Sequence, residues 1–160
     1  MAVVAKQRVR TLSDAKTVEP RHGGITYWMS RDQRVEDNWA LLYAQELARK
    51  HGVGLSVVFC MVPSFLGATM RMYDFMLTGL EEVESSLHAL GVPFRLLMGA
   101  PGDALPAFVQ RHSVCAIVTD FSPLRIGAEW KAAVCRKLPD MPLFEVDAHV
   151  SGLRFKLTVA

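Results

Sequence analysis

The sequence predicts an α/β fold, in which helices cover both sides of a parallel sheet of five strands. Three observations lead to this prediction. Short apolar runs alternate five times with helical patterns, and runs such as LSVVFC are apolar almost throughout, as in strands buried on both faces. The 160 residues, of which 51% are hydrophobic and 21% charged, suffice for one domain with a core. Right-handed crossovers then give a three-layer α/β/α arrangement.

The first strand is the apolar run Ile25–Met29, and a helix follows it. Asp37 or a neighbour caps this helix, which runs to about Lys50. Apolar residues recur along it at helical spacing, at Leu41, Ala44, Leu47 and Ala48. Gly52 ends the helix, and Leu55–Cys60 forms the second strand.

A long helix is predicted from about Met70 to Leu90. One stripe of this helix is apolar, at Met76, Leu80, Val83, Leu87 and Leu90. Gly91 and Pro93 stop it, and Phe94–Met98 is the third strand. Three methionines near the start of the helix, Met70, Met72 and Met76, begin a soft apolar surface that suits docking to another domain.

The last elements follow at the same short spacing. Pro101–His112 is a helix that begins with a proline, which the first helical turn tolerates. Cys115–Thr119 is the fourth strand, a helix runs from about Ile126 to Lys137, and Leu143–Val146 is the fifth strand. With the first strand at the centre, we expect the Rossmann-like strand order 3-2-1-4-5.

Composition limits the classes of function. The 18 basic and 16 acidic residues give a net charge of +2, so we expect no binding of DNA by this domain alone. No apolar run approaches the roughly 18 residues that cross a membrane, and the scattered histidines predict no metal site. No two of the three cysteines, Cys60, Cys115 and Cys135, are spaced as CxxC. This favours reduced thiols and an intracellular, reducing compartment, which is the cytoplasm or the nucleus.

The two ends of the chain differ from the rest. Residues 1–23 are basic, poor in aromatics and end on Pro20 and a glycine pair, which predicts a flexible extension. We therefore expect the α/β domain to span residues 24–149 and a separate tail to span residues 150–160.

Two polar loops are the candidate functional site. Ligands of open α/β sheets bind beyond the carboxyl ends of the strands, where strand order reverses. The loops there are Ser30–Asp37 (SRDQRVED) and Thr119–Arg125 (TDFSPLR). Neither contains a phosphate-binding glycine pattern, so we expect Arg31 and Arg34 to pair with the carboxylates of Asp32, Glu36 or Asp37 and thereby shape the first loop. Arg31 and Asp32 fit a structural ion pair better than a catalytic pair, and we predict no catalytic residue.

Several motifs in order carry a resemblance to a known family. They are YWMSRDQRVEDNWALLYAQ, VVFCMVPSF, RMYDFMLTGLEEVESSL, GAPGDALPAFV, VTDFSPLR and FEVDAH. Together they resemble the amino-terminal domain of class II cyclobutane pyrimidine dimer photolyases, and the likeness runs from about Gly24 to His149. That family has an α/β domain, which holds a light-harvesting antenna chromophore in some members, and a larger helical domain that binds FAD and the damaged DNA.

The resemblance implies a truncated photolyase. After FEVDAH the chain continues as VSGLRFKLTVA, which is unlike the family's continuation, so we expect the catalytic helical domain and its FAD site to be absent. Such a chain would not repair dimers alone. The alternatives are a non-enzymatic module that docks a helical partner and an unrelated nucleotide-binding α/β domain, which the missing glycine-rich loop disfavours.

The family's antenna pocket lies between the loops after the first, second and fourth strands. Carried over onto this chain, the resemblance implies a pocket built from Ser30, Arg31, Phe59, Cys60, Met61, Asp120 and Phe121. An 8-hydroxydeazaflavin-type ring would need apolar walls, which Phe59, Met61 and Phe121 suit, and a polar group at its edge, which Asp120 suits. As a loop carboxylate at a cleft edge, Asp120 would add little to stability.

Overall fold

The computed structural model describes residues 4–20 and 23–148, which form one mixed sheet between two layers of helices. The strands are β1 (Val9–Thr11), β2 (Ile25–Met29), β3 (Leu55–Met61), β4 (Phe94–Met98), β5 (Ala116–Asp120) and β6 (Leu143–Val146). The helices are α1 (Trp39–His51), α2 (Met70–Ala89), α3 (Pro101–His112) and α4 (Arg125–Lys137). These bounds agree with the predicted elements to within a few residues.

The sheet order is β1-β6-β5-β2-β3-β4. Strands β2 to β6 are parallel and follow the predicted order, so the α/β class is confirmed. The prediction of a sheet with five parallel strands only is wrong, because β1 pairs antiparallel with β6, with Val9 opposite Val146 and Thr11 opposite Phe144.

The amino-terminal segment is therefore part of the sheet. A short 3-10 helix at Lys6–Arg8 leads into β1. Arg8 and Asp147 form two hydrogen bonds. The Arg8 side chain donates to the Asp147 carbonyl at 3.1 Å, and the Arg8 carbonyl accepts from the Asp147 N–H at 2.9 Å. The prediction of a flexible extension over residues 1–23 is wrong for this segment. The tail predicted at residues 150–160 lies outside the described residues.

The core has two parts, one on each face of the sheet. On one face α1 and α2 pack against β2 and β3, and on the other α3 and α4 pack against the same sheet. Buried side chains from the helices include Leu41, Leu87, Leu105 and Val134. Each buried side chain of this size stabilises the fold by roughly 1.5–3 kcal/mol, so the two apolar layers hold the sheet from both sides.

Local signals place α1 directly after the first polar loop. The Asn38 side chain accepts from the Leu41 N–H at 2.9 Å, so Asn38, the neighbour of Asp37, is the cap. Gly52 ends the helix in a left-handed conformation, with φ of 64°, which glycine adopts without a steric cost. The helix start is thereby held against the carboxyl end of β2.

Helix α2 is buried along its second half only. Leu80, Val83 and Leu87 are buried against the sheet. Near the start of the helix, Met70, Met72 and Phe75 are exposed. The first half of α2 therefore forms a wall beside the carboxyl end of the sheet rather than a cover over it.

Candidate ligand site at the end of the sheet

A cavity of about 540 Å³ lies at the carboxyl ends of β2 and β3. Its walls come from the loops that follow β2, β3 and β5, from the first two turns of α2 and α4, and from the start of α3. This is the edge of the sheet at which α/β proteins bind ligands, because β2 pairs with β3 on one side and β5 on the other, where strand order reverses.

The cavity walls are mainly apolar and aromatic. The aromatic residues that line it are Trp28, Phe59, Phe65, Tyr73 and Trp130. The rings of Phe65 and Trp130 are 5.7 Å apart, centre to centre, in a tilted arrangement that is favourable for aromatic pairs. The Tyr73 hydroxyl donates to the Val62 carbonyl at 3.0 Å, which anchors the start of α2 to the loop after β3.

Few polar side chains reach the cavity. Ser30, Arg31 and Gln33 contribute from the loop after β2, and Ser122 from the loop after β5. Among the described lining residues Arg31 carries the one formal charge, so the cavity favours a neutral or anionic ligand over a cation. Gln33 donates to the Ser30 carbonyl at 3.3 Å, which is a long bond.

Five of the seven residues implied by the resemblance line this cavity. They are Ser30, Arg31, Phe59, Cys60 and Met61. Cys60 is buried, and burial raises the pKa of its thiol to about 12. The thiol therefore stays protonated at neutral pH and acts as a small apolar lining group. Whether these residues bind an antenna remains a prediction.

Asp120 is not among the residues that line the cavity, because its carboxylate points into the protein. It is 1% exposed and accepts a hydrogen bond of 2.6 Å from the Tyr27 hydroxyl. Its other oxygen accepts from the backbone N–H groups of Ser30 and Arg31 at 2.9 Å, and from that of Asp32 at 3.3 Å. The expectation that Asp120 edges the pocket and adds little to stability does not fit this arrangement.

Three consecutive N–H groups of the loop thus converge on one carboxylate. Such a cluster of backbone donors is an anion-binding arrangement, which in other α/β proteins receives a phosphate. Here the anion is internal. Because both carboxylate oxygens accept hydrogen bonds, the ionised form fits its partners. Burial raises the pKa of the Asp120 carboxyl, and the hydrogen bonds from Tyr27 and from the backbone oppose this effect.

Asn38 ties the same loop to α1. Its side-chain nitrogen donates to the Tyr27 hydroxyl at 3.0 Å and to the carbonyl groups of Asp32 and Arg34 at 3.1 and 2.9 Å. Burial, followed by the charge of Asp120, raises the pKa of Tyr27 well above its ordinary value, so its hydroxyl stays a donor. Tyr27, Asn38 and Asp120 therefore form one buried network under the loop.

The arginines of the loop do not make the contacts that were predicted for them. Arg34 donates through Nε and Nη2 to the backbone carbonyl of Asp37, at 3.3 and 3.1 Å, rather than to a carboxylate. Arg31 is exposed and lines the cavity. Among the described residues, the loop takes its shape mainly from the hydrogen bonds of its backbone to the buried side chains of Asp120 and Asn38.

Phe121 also does not line the cavity. Its backbone N–H donates to the Val146 carbonyl at 2.9 Å, and its ring lies 5.9 Å from the Lys131 ammonium group. Lys131 in turn pairs with Glu145, whose second oxygen accepts from Arg10 at 2.6 Å. Phe121 thus belongs with the buried ion network that joins α4, β6 and β1.

Several residues that line the cavity were not predicted from the sequence. Phe65, Tyr73 and Trp130 come from the loop after β3, from the first turn of α2 and from the second turn of α4. The rule that ligands bind at loops near the strand ends does not include helix residues such as Tyr73 and Trp130. Trp130 carried a weak signal, since a tryptophan close to a helix start at this end of the sheet is placed to reach the cavity.

Other classes of site find no support in the described residues. No group of three or more histidine, cysteine or acidic side chains able to hold a metal occurs among them. No helix within residues 4–20 and 23–148 is long and apolar enough to span a membrane. All three cysteines are free, and Cys60 and Cys115 are buried.

Comparison with known proteins agrees with this architecture. The model of the DNA photolyase family matches residues 25–151. The deoxyribodipyrimidine photo-lyase of Potorous tridactylus is 54% identical over 145 residues, which are 90% of this chain and 27% of that protein. The protein of the same name from Arabidopsis thaliana is 41% identical over 128 residues, 79% of this chain and 26% of the relative. This chain thus spans about a quarter of the length of these relatives.

The fold is also that of solved proteins. A bacterial class III photolyase from Agrobacterium tumefaciens superimposes with a TM-score of 0.68 at 21% identity, over 81% of this chain and 26% of that chain. A cryptochrome from Synechocystis superimposes with a TM-score of 0.63 at 17% identity, over 82% and 27% of the two chains. The family model and the close relatives together establish that this chain belongs to the DNA photolyase family.

Proposed function

We propose that this chain is the light-harvesting α/β domain of a class II photolyase, and that its cavity holds a flat antenna chromophore of the 8-hydroxydeazaflavin type. The observation that carries the proposal is the cavity of about 540 Å³ at the carboxyl end of the sheet. Its volume lies within the range of roughly 300–1,000 Å³ that is typical of small-molecule sites. Its position is the one at which this fold class binds ligands.

The walls of the cavity suit a planar conjugated ring. Phe59 and Met61 end β3 on one side, and Trp130 faces the cavity from α4. A ring between such groups buries apolar area and can stack on an aromatic side chain, which contributes about 0.5–1.5 kcal/mol beyond area burial. Ser30 and Arg31, rather than Asp120, are the groups we assign to the polar edge of the ring, because Arg31 stabilises an ionised ring hydroxyl.

Titration with the free deazaflavin chromophore tests the proposal. We expect saturable binding to the wild-type chain, seen as a shift of the violet absorbance band and as quenching of tryptophan fluorescence. Ala68→Phe places a ring inside the cavity and should reduce the affinity at least tenfold. Ala89→Phe is the matched control, because Ala89 is exposed at the end of α2, away from the cavity, and this change should leave the affinity unaltered. A wild-type titration without saturation removes the antenna function.

We also expect this 160-residue chain by itself to leave pyrimidine dimers unrepaired. Repair of a dimer requires a reduced flavin held next to the flipped lesion. The relatives named as photo-lyases are about four times as long as the matched region, so such groups need not lie here. The test supplies FAD, a reductant, ultraviolet-damaged DNA and light, and measures dimers. Loss of dimers above a control without protein contradicts this part of the proposal.

A second candidate function is docking of a helical partner without any enzymatic activity. The exposed start of α2 favours it, since Met70 is 77% and Phe75 84% exposed beside the cavity. Apolar patches of this kind suit an amphipathic helix. Phe75→Glu should abolish binding of an amphipathic helical peptide, measured by fluorescence anisotropy. The same change should leave chromophore binding intact, because Phe75 does not line the cavity.

A further inference from the structure

The two edges of the sheet differ in whether another strand covers them. At one edge the amino-terminal segment adds β1, which covers the outer side of β6. At the other edge β4 is the last strand, and no strand within residues 4–20 and 23–148 pairs with its outer side. A free edge presents a row of unpaired N–H and C=O groups, which is a template for pairing with another chain.

The direction of the backbone groups along β4 follows from the bonds at its two ends. The Val57 N–H donates to the Pro93 carbonyl, and the Gly99 N–H donates to the Met61 carbonyl, both at 2.8 Å. Because successive residues of a strand point their backbone groups in opposite directions, Arg95 and Leu97 also face β3. The N–H and C=O groups of Phe94, Leu96 and Met98 therefore face outward.

The side chains of the same three residues share one face of the sheet. Phe94 packs against the core under α1 and α2, whereas Leu97 packs against the core on the opposite face. Leu96 is 41% and Met98 69% exposed. The outward backbone groups and the exposed apolar side chains thus lie on the same alternate positions of this edge.

We propose that β4 pairs in antiparallel fashion with β4 of a second copy, around a two-fold axis at Leu96. Leu96 then lies beside Leu96 of the second copy, and Phe94 lies beside Met98 of the second copy. Each copy supplies three outward N–H donors and three acceptors, which gives about six inter-chain hydrogen bonds. The two six-stranded sheets become one continuous sheet.

A second copy is the occupant that this edge fits, because the pattern is complementary to itself. Apolar side chains meet apolar side chains on one face, and Arg95 meets Leu97 of the second copy on the other, so no like charges are directly opposite. A pair of five-residue strands buries less area than stable interfaces do. We therefore expect dissociation constants between about 1 µM and 1 mM.

Sedimentation equilibrium with charged variants at the axis tests the register. Leu96→Lys and Leu96→Glu should each be monomeric at concentrations where the wild type dimerises, because each would place two like charges side by side. An equimolar mixture of the two variants should dimerise again through the opposite charges. Leu90→Lys is the matched control, since Leu90 is an exposed leucine at the end of α2, outside β4, and this variant should dimerise as the wild type does.

Hydrogen exchange on the wild-type chain gives a second, variant-free test. At high concentration the amide groups of Phe94, Leu96 and Met98 should exchange more slowly than after dilution, whereas Arg95 and Leu97 should be protected at both concentrations. A wild-type chain that is monomeric throughout the stated range overturns the proposal. So does a dimer whose Leu96 and Met98 amides exchange as fast as in the monomer, or a variant mixture that stays monomeric.

Discussion

Replacement of Asp120 by alanine should destabilise the fold strongly. The change removes the acceptor for four donors: the Tyr27 hydroxyl and the N–H groups of Ser30, Arg31 and Asp32. Two of these donors, on Tyr27 and Asp32, belong to buried residues, and each buried donor left without a partner costs about 1–3 kcal/mol. Ser30 and Arg31 lie closer to solvent and can turn to water. We therefore expect a loss of about 2–6 kcal/mol of unfolding free energy.

Urea denaturation followed by far-ultraviolet circular dichroism measures this loss. In thermal denaturation the melting temperature should fall by about 4–24 °C, since 1 kcal/mol corresponds to about 2–4 °C in a domain of this size. Asp120→Asn is the matched control. It keeps one acceptor oxygen but turns an amide group toward donors, so its cost should be smaller than that of alanine and still above about 1 kcal/mol.

A double-mutant cycle with Tyr27→Phe isolates the bond between the phenol and the carboxylate. Because the two groups are 2.6 Å apart and buried, their coupling energy should exceed about 1 kcal/mol. An unfolding free energy for Asp120→Ala within about 0.5 kcal/mol of the wild-type value, the usual effect of a surface change, would refute the assignment of Asp120 as the internal anion of the loop. Additive single changes in the cycle would refute the direct bond.

Three further predictions concern other buried groups. Cys60 should resist iodoacetamide at pH 8 in the folded chain, because a thiol pKa of about 12 leaves about one thiolate in ten thousand; rapid labelling by mass spectrometry contradicts this. Asn38→Ala should cost about 1–3 kcal/mol in urea denaturation, since it removes the cap of α1 and the donors to the loop; an unchanged midpoint contradicts it. Lys131→Met should cost about 2–4 kcal/mol, because the fully buried Glu145 then keeps, among the described residues, the half-exposed Arg10 as its one charged partner, and an unchanged midpoint would show that this ion network does not hold β6.

Most of the architecture could be predicted because its signals are local and repeated. Near-continuous apolar runs predict strands buried on both faces, as at β3, and glycine or proline after an apolar stripe predicts where helices end, as at α2. β1 was missed for a physical reason. It has three residues, two of which, Arg10 and Thr11, are polar, and it is a strand only because β6 presents an edge for it to pair with.

The position of the cavity was predictable, but the direction of Asp120 was not. Topology indicates which loops meet at the end of the sheet, and these loops do meet around the cavity. Side chains at a strand end alternate in direction, so one position decides whether a carboxylate faces a ligand or the protein. The same residue types occur in a polar pocket edge and in an internal network, and only the converging N–H groups of Ser30 and Arg31 distinguish the two.

The internal anion, Asp120, also prevents the loop after β2 from binding a phosphate. The backbone donors that could hold a phosphate at this position already bind Asp120, and a carboxylate at the same place repels a second anion. The affinity of the cavity must then come from its apolar walls and from the contact of Arg31 with the ring hydroxyl, so we expect ATP not to compete with the chromophore. Isothermal titration with ATP, alone and after addition of the deazaflavin, measures whether ATP binds and whether the two compete. Saturable binding of ATP that displaces the deazaflavin would show that the loop still accepts phosphate and would favour a nucleotide-binding function instead.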